Sequence, residues 1–140
     1  MIPLPVTAVT AAVLGLFYIA LSIRVIMARG TAGVSLGDGS AGIVASGMEH
    51  TTPLLVRARS HANFAEYVPL ALILIGMAEI EGTRRVAVII FAALLVIGRL
   101  AHPIGMGRKV PNPYRAAGAV LTFTAIAAAS ITILINAAMA

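Results

Sequence analysis

The chain has 140 residues, of which 60% are hydrophobic and only 11% charged, with a mean hydropathy of +1.01. A soluble domain carries about 25% charged residues and does not gather its apolar residues into long runs parted by short polar gaps, so a soluble globule is excluded. A closed membrane barrel is excluded too, because its strands alternate apolar and polar residues and runs such as VAVIIFAALLVIG do not. The net charge of +5 comes without a basic, aromatic-bearing surface for nucleic acid, and reads instead as membrane topology and contact with lipid headgroups. With no cysteine, the chain forms no disulfide and has no thiol nucleophile, so any sulfur chemistry must arrive with a ligand.

The pattern is that of an all-α membrane protein, a four-transmembrane-helix bundle in a single domain, 1–140. The first span covers about 5–27 and stops at the ARG of Ala28-Arg29-Gly30. No basic segment precedes it, and its apolar run from Val6 to Met27 is longer than the core of a signal peptide, so it reads as a retained span. A Gly- and Ser-rich loop leads to the second span, 53–80, with Thr52 as cap and Pro53 at the first helical position. That helix, roughly 40 Å long at 1.5 Å per residue, exceeds a bilayer core of about 30 Å, so its first two turns stand in the interface. The short EIEGTRR turn makes the third span, 86–104, its antiparallel neighbour. After GMGRKVPNP comes the fourth, 113–138. Arg29, Arg57, Arg59, Arg108, Lys109 and Arg115 gather on one side of the membrane, while Arg84 and Arg85 on the other are offset by Glu79 and Glu81. By the positive-inside rule both termini lie outside the cytoplasm, and the 29–53 loop and the 105–112 turn lie within it. In a bacterium this would be the cell inner membrane.

Polar residues inside such spans carry the functional signal. At 100° per residue Arg59, Asn63, Glu66 and Leu70 share one face of the second helix, while Arg57 and His61 point the opposite way. Two polar faces both need protein or a wet cavity against them, which predicts an oligomer with its ligand between subunits. Arg99 follows an apolar run and needs an anion; Glu66 lies at matching depth on the antiparallel helix. That pair is consistent with a purely structural ion pair as well as with part of a site. His102 lies about one turn beyond Arg99. Arg115, in the first turn of the fourth helix after a capping Asn112, sits where the helix dipole is already positive. A guanidinium beside free amides at a helix start suits an anion and would favour thiolate over thiol; a snorkelling contact with headgroups is the bland alternative. His61 and His102 have no partners at metal-ligand spacing, so no metal site is expected. Asp38 reads as a turn residue, and Met48, Met77 and Met106 as apolar filling.

Taken together, RSHANFAEYVP, GRLAHPIG and PNPYRAAG, with SIRVIMARGTAGVS at the end of the first helix, resemble the MAPEG family, membrane-associated proteins in eicosanoid and glutathione metabolism. The likeness runs in register over most of the chain. It implies homotrimers of four-helix subunits, with glutathione bound between neighbours near the cytoplasmic side. Arg59, Asn63, Glu66 and Tyr67 match the family's glutathione-contacting positions, and His61 a position facing the neighbouring subunit. Arg99 and His102 match an RxxH pattern, Arg115 the arginine credited with stabilising the glutathione thiolate, and Arg29 a basic residue that reaches the neighbour's site. The chain departs from the pattern at Met106, where better-known members have a tyrosine, at Ala116, where the prostaglandin synthase has a serine, and at Ala62 and Gly30, where some have arginine. Weaker glutathione binding, or use of another thiol or anion, would follow, and the eicosanoid activities are not implied.

The expected function is therefore that of a membrane-embedded, glutathione transferase-like enzyme. It would conjugate or reduce lipophilic electrophiles with glutathione thiolate, and Arg115 would be its catalytic residue. A non-catalytic membrane binding protein with the same fold is the alternative. A small multidrug transporter is the third reading, disfavoured because its glutamate belongs unpaired on the first helix, whereas Glu66 lies on the second among Arg and Asn.

Overall fold

The computed structural model describes residues 4–38, 52–106, 108 and 112–139. Lys109 and most of the two segments expected in the cytoplasm lie outside the described residues. Among the described residues four helices form the fold: α1 Pro5–Ala32, α2 Pro53–Ile80, α3 Arg85–Met106 and α4 Pro113–Met139. All are long and apolar enough to cross a membrane.

Two of the helices outrun their expected ends. Arg29 and Gly30 do not stop α1, which continues to Ala32; Gly33, in the left-handed conformation at φ 65°, turns its N–H back to the Arg29 and Gly30 carbonyls. Pro103 does not stop α3 either, although its missing N–H costs one helical bond, and the helix runs to Met106. The expected caps are present. Thr52 Oγ1 accepts from Leu55 N at 3.1 Å, and Asn112 Oδ1 accepts from Tyr114 N at 3.0 Å and Arg115 N at 3.3 Å.

The core runs along the bundle axis through Leu14 and Leu21 of α1, Phe64, Val68 and Ile75 of α2, Val88, Phe91 and Leu95 of α3, and Ala125 and Ala129 of α4. Rings bind α1 to α2, with Phe64 5.8 Å from Phe17 and 5.5 Å from Tyr18. The α3–α4 contact is closer and made by glycines. A Cβ on Gly118 would stand 2.8 Å from the Gly98 carbonyl oxygen and 2.9 Å from His102 Cα, so both backbones touch directly. Outward-facing Val9, Leu16, Ile73, Val86, Val120 and Leu134 make the apolar coat that lipid requires.

One end of the bundle is laced by polar contacts across helices. Glu79, at the close of α2, accepts from Val6 N at 3.0 Å, Thr7 N at 2.9 Å and Thr7 Oγ1 at 2.6 Å. It supplies the cap that Leu4 cannot, since leucine has no side-chain acceptor. Asn136 of α4 donates to Glu81 Oε2 and Thr83 Oγ1, both at 3.2 Å. The opposite end is basic and holds the site.

Candidate functional site

A cavity of about 440 Å³ opens at the basic end between α2, α3 and α4. From α2 it is lined by Arg59, Asn63 and Glu66, which the helical period places one above another, with Ala62 beside them. His102 and Met106 come from α3 and Arg115 from α4. The volume falls in the usual range for small-molecule sites, about 300–1,000 Å³. Its lining offers guanidinium groups to an anion and one carboxylate to a cation, which suits a ligand carrying both charges.

Arg99 lies behind the lining, only 2% exposed. Its Nη1 donates to Asn63 Oδ1 at 2.9 Å, its Nη2 to the Gly118 carbonyl at 3.4 Å, and its Cζ lies 5.9 Å from the centre of the Tyr67 ring. Among the described residues no ion pair joins it to Glu66, which corrects the expected pairing. Asn63 and Glu66 share a face and compete for the same cation; the shorter asparagine reaches it, and Glu66 stays exposed at the cavity. Arg99 thus keeps an unneutralised charge held by neutral partners, next to the buried His102, and its Nε has no partner. The Arg99 charge biases the cavity towards anions.

At Arg115 a second expectation changes. The Tyr114 and Arg115 amides are not free for a ligand, because Asn112 Oδ1 takes both. What α4 presents is the exposed guanidinium of Arg115 together with the positive end of the helix.

A comparison with protein-family models matches the MAPEG family over residues 7–135. The chain belongs to the MAPEG family. Neither the curated proteins nor the solved structures include a match to it. As a MAPEG protein with four apolar helices, it is an integral, multi-pass membrane protein of the glutathione and eicosanoid metabolism group.

Within this MAPEG chain, the sequence-predicted residues fall into separate sets. Arg59, Asn63, Glu66, His102 and Arg115 line the cavity, and Arg99 backs it. Tyr67 packs on Phe123 of α4, ring centres 5.4 Å apart, behind Asn63. His61 is turned to α1, where its Nε2 is 3.0 Å from Ser22 Oγ and its ring stacks on Tyr18 at 4.6 Å. Arg29 lies in a groove with Ile26, Gly30, Gly33, Val34 and Ser35, its Nε buried without a partner. The two polar faces of α2 are therefore both met in part within one chain, at His61 by α1 and at Asn63 by α3 and α4, with Glu66 left exposed. They do not by themselves require a second copy.

Two residues have roles that the sequence reading did not assign. Asp38, read as a turn residue, has its Oδ2 4.0 Å from Arg59 Nε, a partly exposed pair. Such pairs contribute about 0–1 kcal/mol, so this contact adds little to the stability of the fold. Glu79, counted before only as an offset to nearby arginines, caps α1. No sequence signal links it to a helix start so far away.

Proposed function

We propose that this protein is a glutathione-dependent transferase working on lipophilic electrophiles, the glutathione lying in the cavity between α2, α3 and α4. The observation that carries the reading is the convergence of Arg59, Asn63, Glu66, His102 and Arg115 on one cavity in a member of this family. Glutathione has two carboxylates, an ammonium and a thiol. Arg59, with the Arg99 charge behind it, suits the carboxylates, and Glu66 suits the ammonium. Arg115 stabilises the thiolate, which attacks an electrophilic carbon arriving from the bilayer. A C–S bond forms, and the displaced electron pair leaves with the leaving group or takes a proton from water. Oriented charge of this kind contributes about 3 kcal/mol per donor.

The basic end faces the cytoplasm in this reading, and both termini lie outside. The working unit is a homotrimer. What supports a second copy is Glu66, an exposed carboxylate 14 positions before the end of α2 at Ile80. That is about 21 Å along the helix, a depth at which lipid contact is costly for a charge. A neighbouring subunit covers it, and Arg29, which lines a separate groove of its own chain, belongs to that shared boundary.

Thermal-shift binding of glutathione to the detergent-purified protein tests the proposal, followed by ultraviolet absorbance of bound thiolate across a pH titration. Saturable binding, with a thiol ionising well below its free value, is expected. Binding without any change in thiol ionisation would favour a non-catalytic glutathione-binding protein, and no binding would refute the proposal.

A further inference from the structure

The glycine seam between α3 and α4 reaches the site itself. A Cβ on Gly105 would collide with Arg115 N and lie 2.8 Å from both Arg115 Cα and Arg115 Cβ. Two of those atoms are helix backbone, which cannot swing aside as a side-chain tip can. Gly105 is buried, and the Arg115 amide that it abuts is the one donated to Asn112 Oδ1. The first turn of α4 is thus held from two sides, by Asn112 along the helix and by the bare Cα of Gly105 across it. Further along, Gly98 and Gly118 make the second backbone contact, with His102 Cα against Gly118. That contact is a fulcrum: anything wedged in at Gly105 pivots the start of α4 away from α3.

We infer that Gly105 is a positioning residue for Arg115, its missing side chain setting how close the guanidinium stands to His102 and to the thiol of the bound ligand. The inference rests on the proposed glutathione chemistry for its consequence, though not for its geometry. A methyl group at 105 must push the Arg115 backbone by about 1 Å to reach ordinary contact, and a misplacement of that size can reduce a rate by about 10²-fold. By contrast, a Cβ on Gly76, in the laced end of the bundle, would meet Thr7 Cγ2 at an ordinary 3.5 Å.

The test compares Gly105→Ala, Gly76→Ala and Arg115→Ala, together with the Gly105→Ala/Arg115→Ala double variant. Gly105→Ala is expected to raise the pKa of bound glutathione in the same direction as Arg115→Ala and to lower turnover about 10- to 100-fold, with Gly76→Ala like wild type. In the Arg115→Ala background Gly105→Ala should add nothing to the thiol pKa. An equal added shift there, or a Gly105→Ala thiol titration superimposable on wild type, would overturn the inference. Amide hydrogen exchange over residues 114–117 supplies a readout without glutathione. Faster exchange there in Gly105→Ala, with α2 unchanged, supports the wedge, and unchanged protection overturns it. If Gly105→Ala does not fold, Asn112→Ala frees the same turn without added bulk and should give the same thiol shift; a wild-type titration would refute the inference. Wild-type protein that binds no glutathione would refute the transferase reading alone, leaving the wedge to be decided by exchange.

Discussion

Arg99 is a cation buried among neutral partners, and that arrangement ranks the substitutions around it. Asn63→Leu leaves Nη1 without its acceptor, so it should cost about 1–3 kcal/mol of stability. Arg99→Met should cost less, because an apolar side chain of similar size often replaces a buried charge at little loss. In the double variant most of the Asn63→Leu penalty should disappear. Glu66→Gln and Arg99→Met should instead add to within about 0.5 kcal/mol. Unfolding of the four variants in detergent measures all of this; stronger coupling of Arg99 to Glu66 than to Asn63 would contradict the geometry. At Arg115, lysine should restore only part of the thiolate stabilisation lost in Arg115→Ala, because an ammonium keeps the charge without the planar fork. A lysine variant that titrates like wild type would reduce the arginine to a headgroup contact. The sequence showed the polar face of α2 correctly, since a helical period needs no coordinates. It did not show which residue of that face reaches Arg99, because Asn63 and Glu66 differ by one turn and the choice rests on side-chain reach.

Elements were more legible than contacts. Apolar runs located the four described helices, and Thr52 and Asn112 marked the starts of α2 and α4. The end of α1 was set too early, because arginine and glycine weaken a helix without ending it, while the left-handed turn at Gly33 does. α3 runs two residues past its expected end at 104, and Pro103 does not interrupt it, because neighbouring helices hold a proline-containing helix together in a membrane. The Glu79 cap was invisible, being a long-range contact. Its weight is testable. Glu79→Gln keeps the shape but removes the charge facing the helix dipole, and should destabilise by about 1–2 kcal/mol. The loss should be read as a lower melting temperature, with glutathione binding at the other end unaffected. A stability equal to wild type would mean that water caps α1 as well as Glu79 does.

For the whole molecule, the strongest expectation concerns what surrounds Glu66. Mass measurement in mild detergent should give a trimer, and Glu66→Gln should preserve it while weakening ligand binding. A monomer that binds glutathione normally would place the complete site within one chain. Orientation has a clean assay, because the absence of cysteine makes every introduced thiol unique. Ser35→Cys should react with an impermeant reagent only from the cytoplasmic side and Arg84→Cys only from outside; the reverse pattern would invert the topology. The oligomer could be read only indirectly from the sequence. The two polar faces of α2 suggested it, yet α1 turned out to cover one of them through Ser22 and Tyr18.

The Glu79 contact also imposes an order on biogenesis. Val6 and Thr7 emerge from the ribosome 73 and 72 positions ahead of the carboxylate that accepts their amide hydrogen bonds. At about 5–20 residues per second, the opening turn of α1 waits roughly 4–14 s before its partner has been made. During that interval the first helix lacks its latch, and its leading amides are without the Glu79 carboxylate. Once α2 has crossed, delivery of Glu79 closes the hairpin and withdraws those amides from solvent. Nascent chains stopped short of residue 79 should therefore hold α1 as a loose tenant of the membrane, and those stopped beyond Ile80 should hold a locked pair.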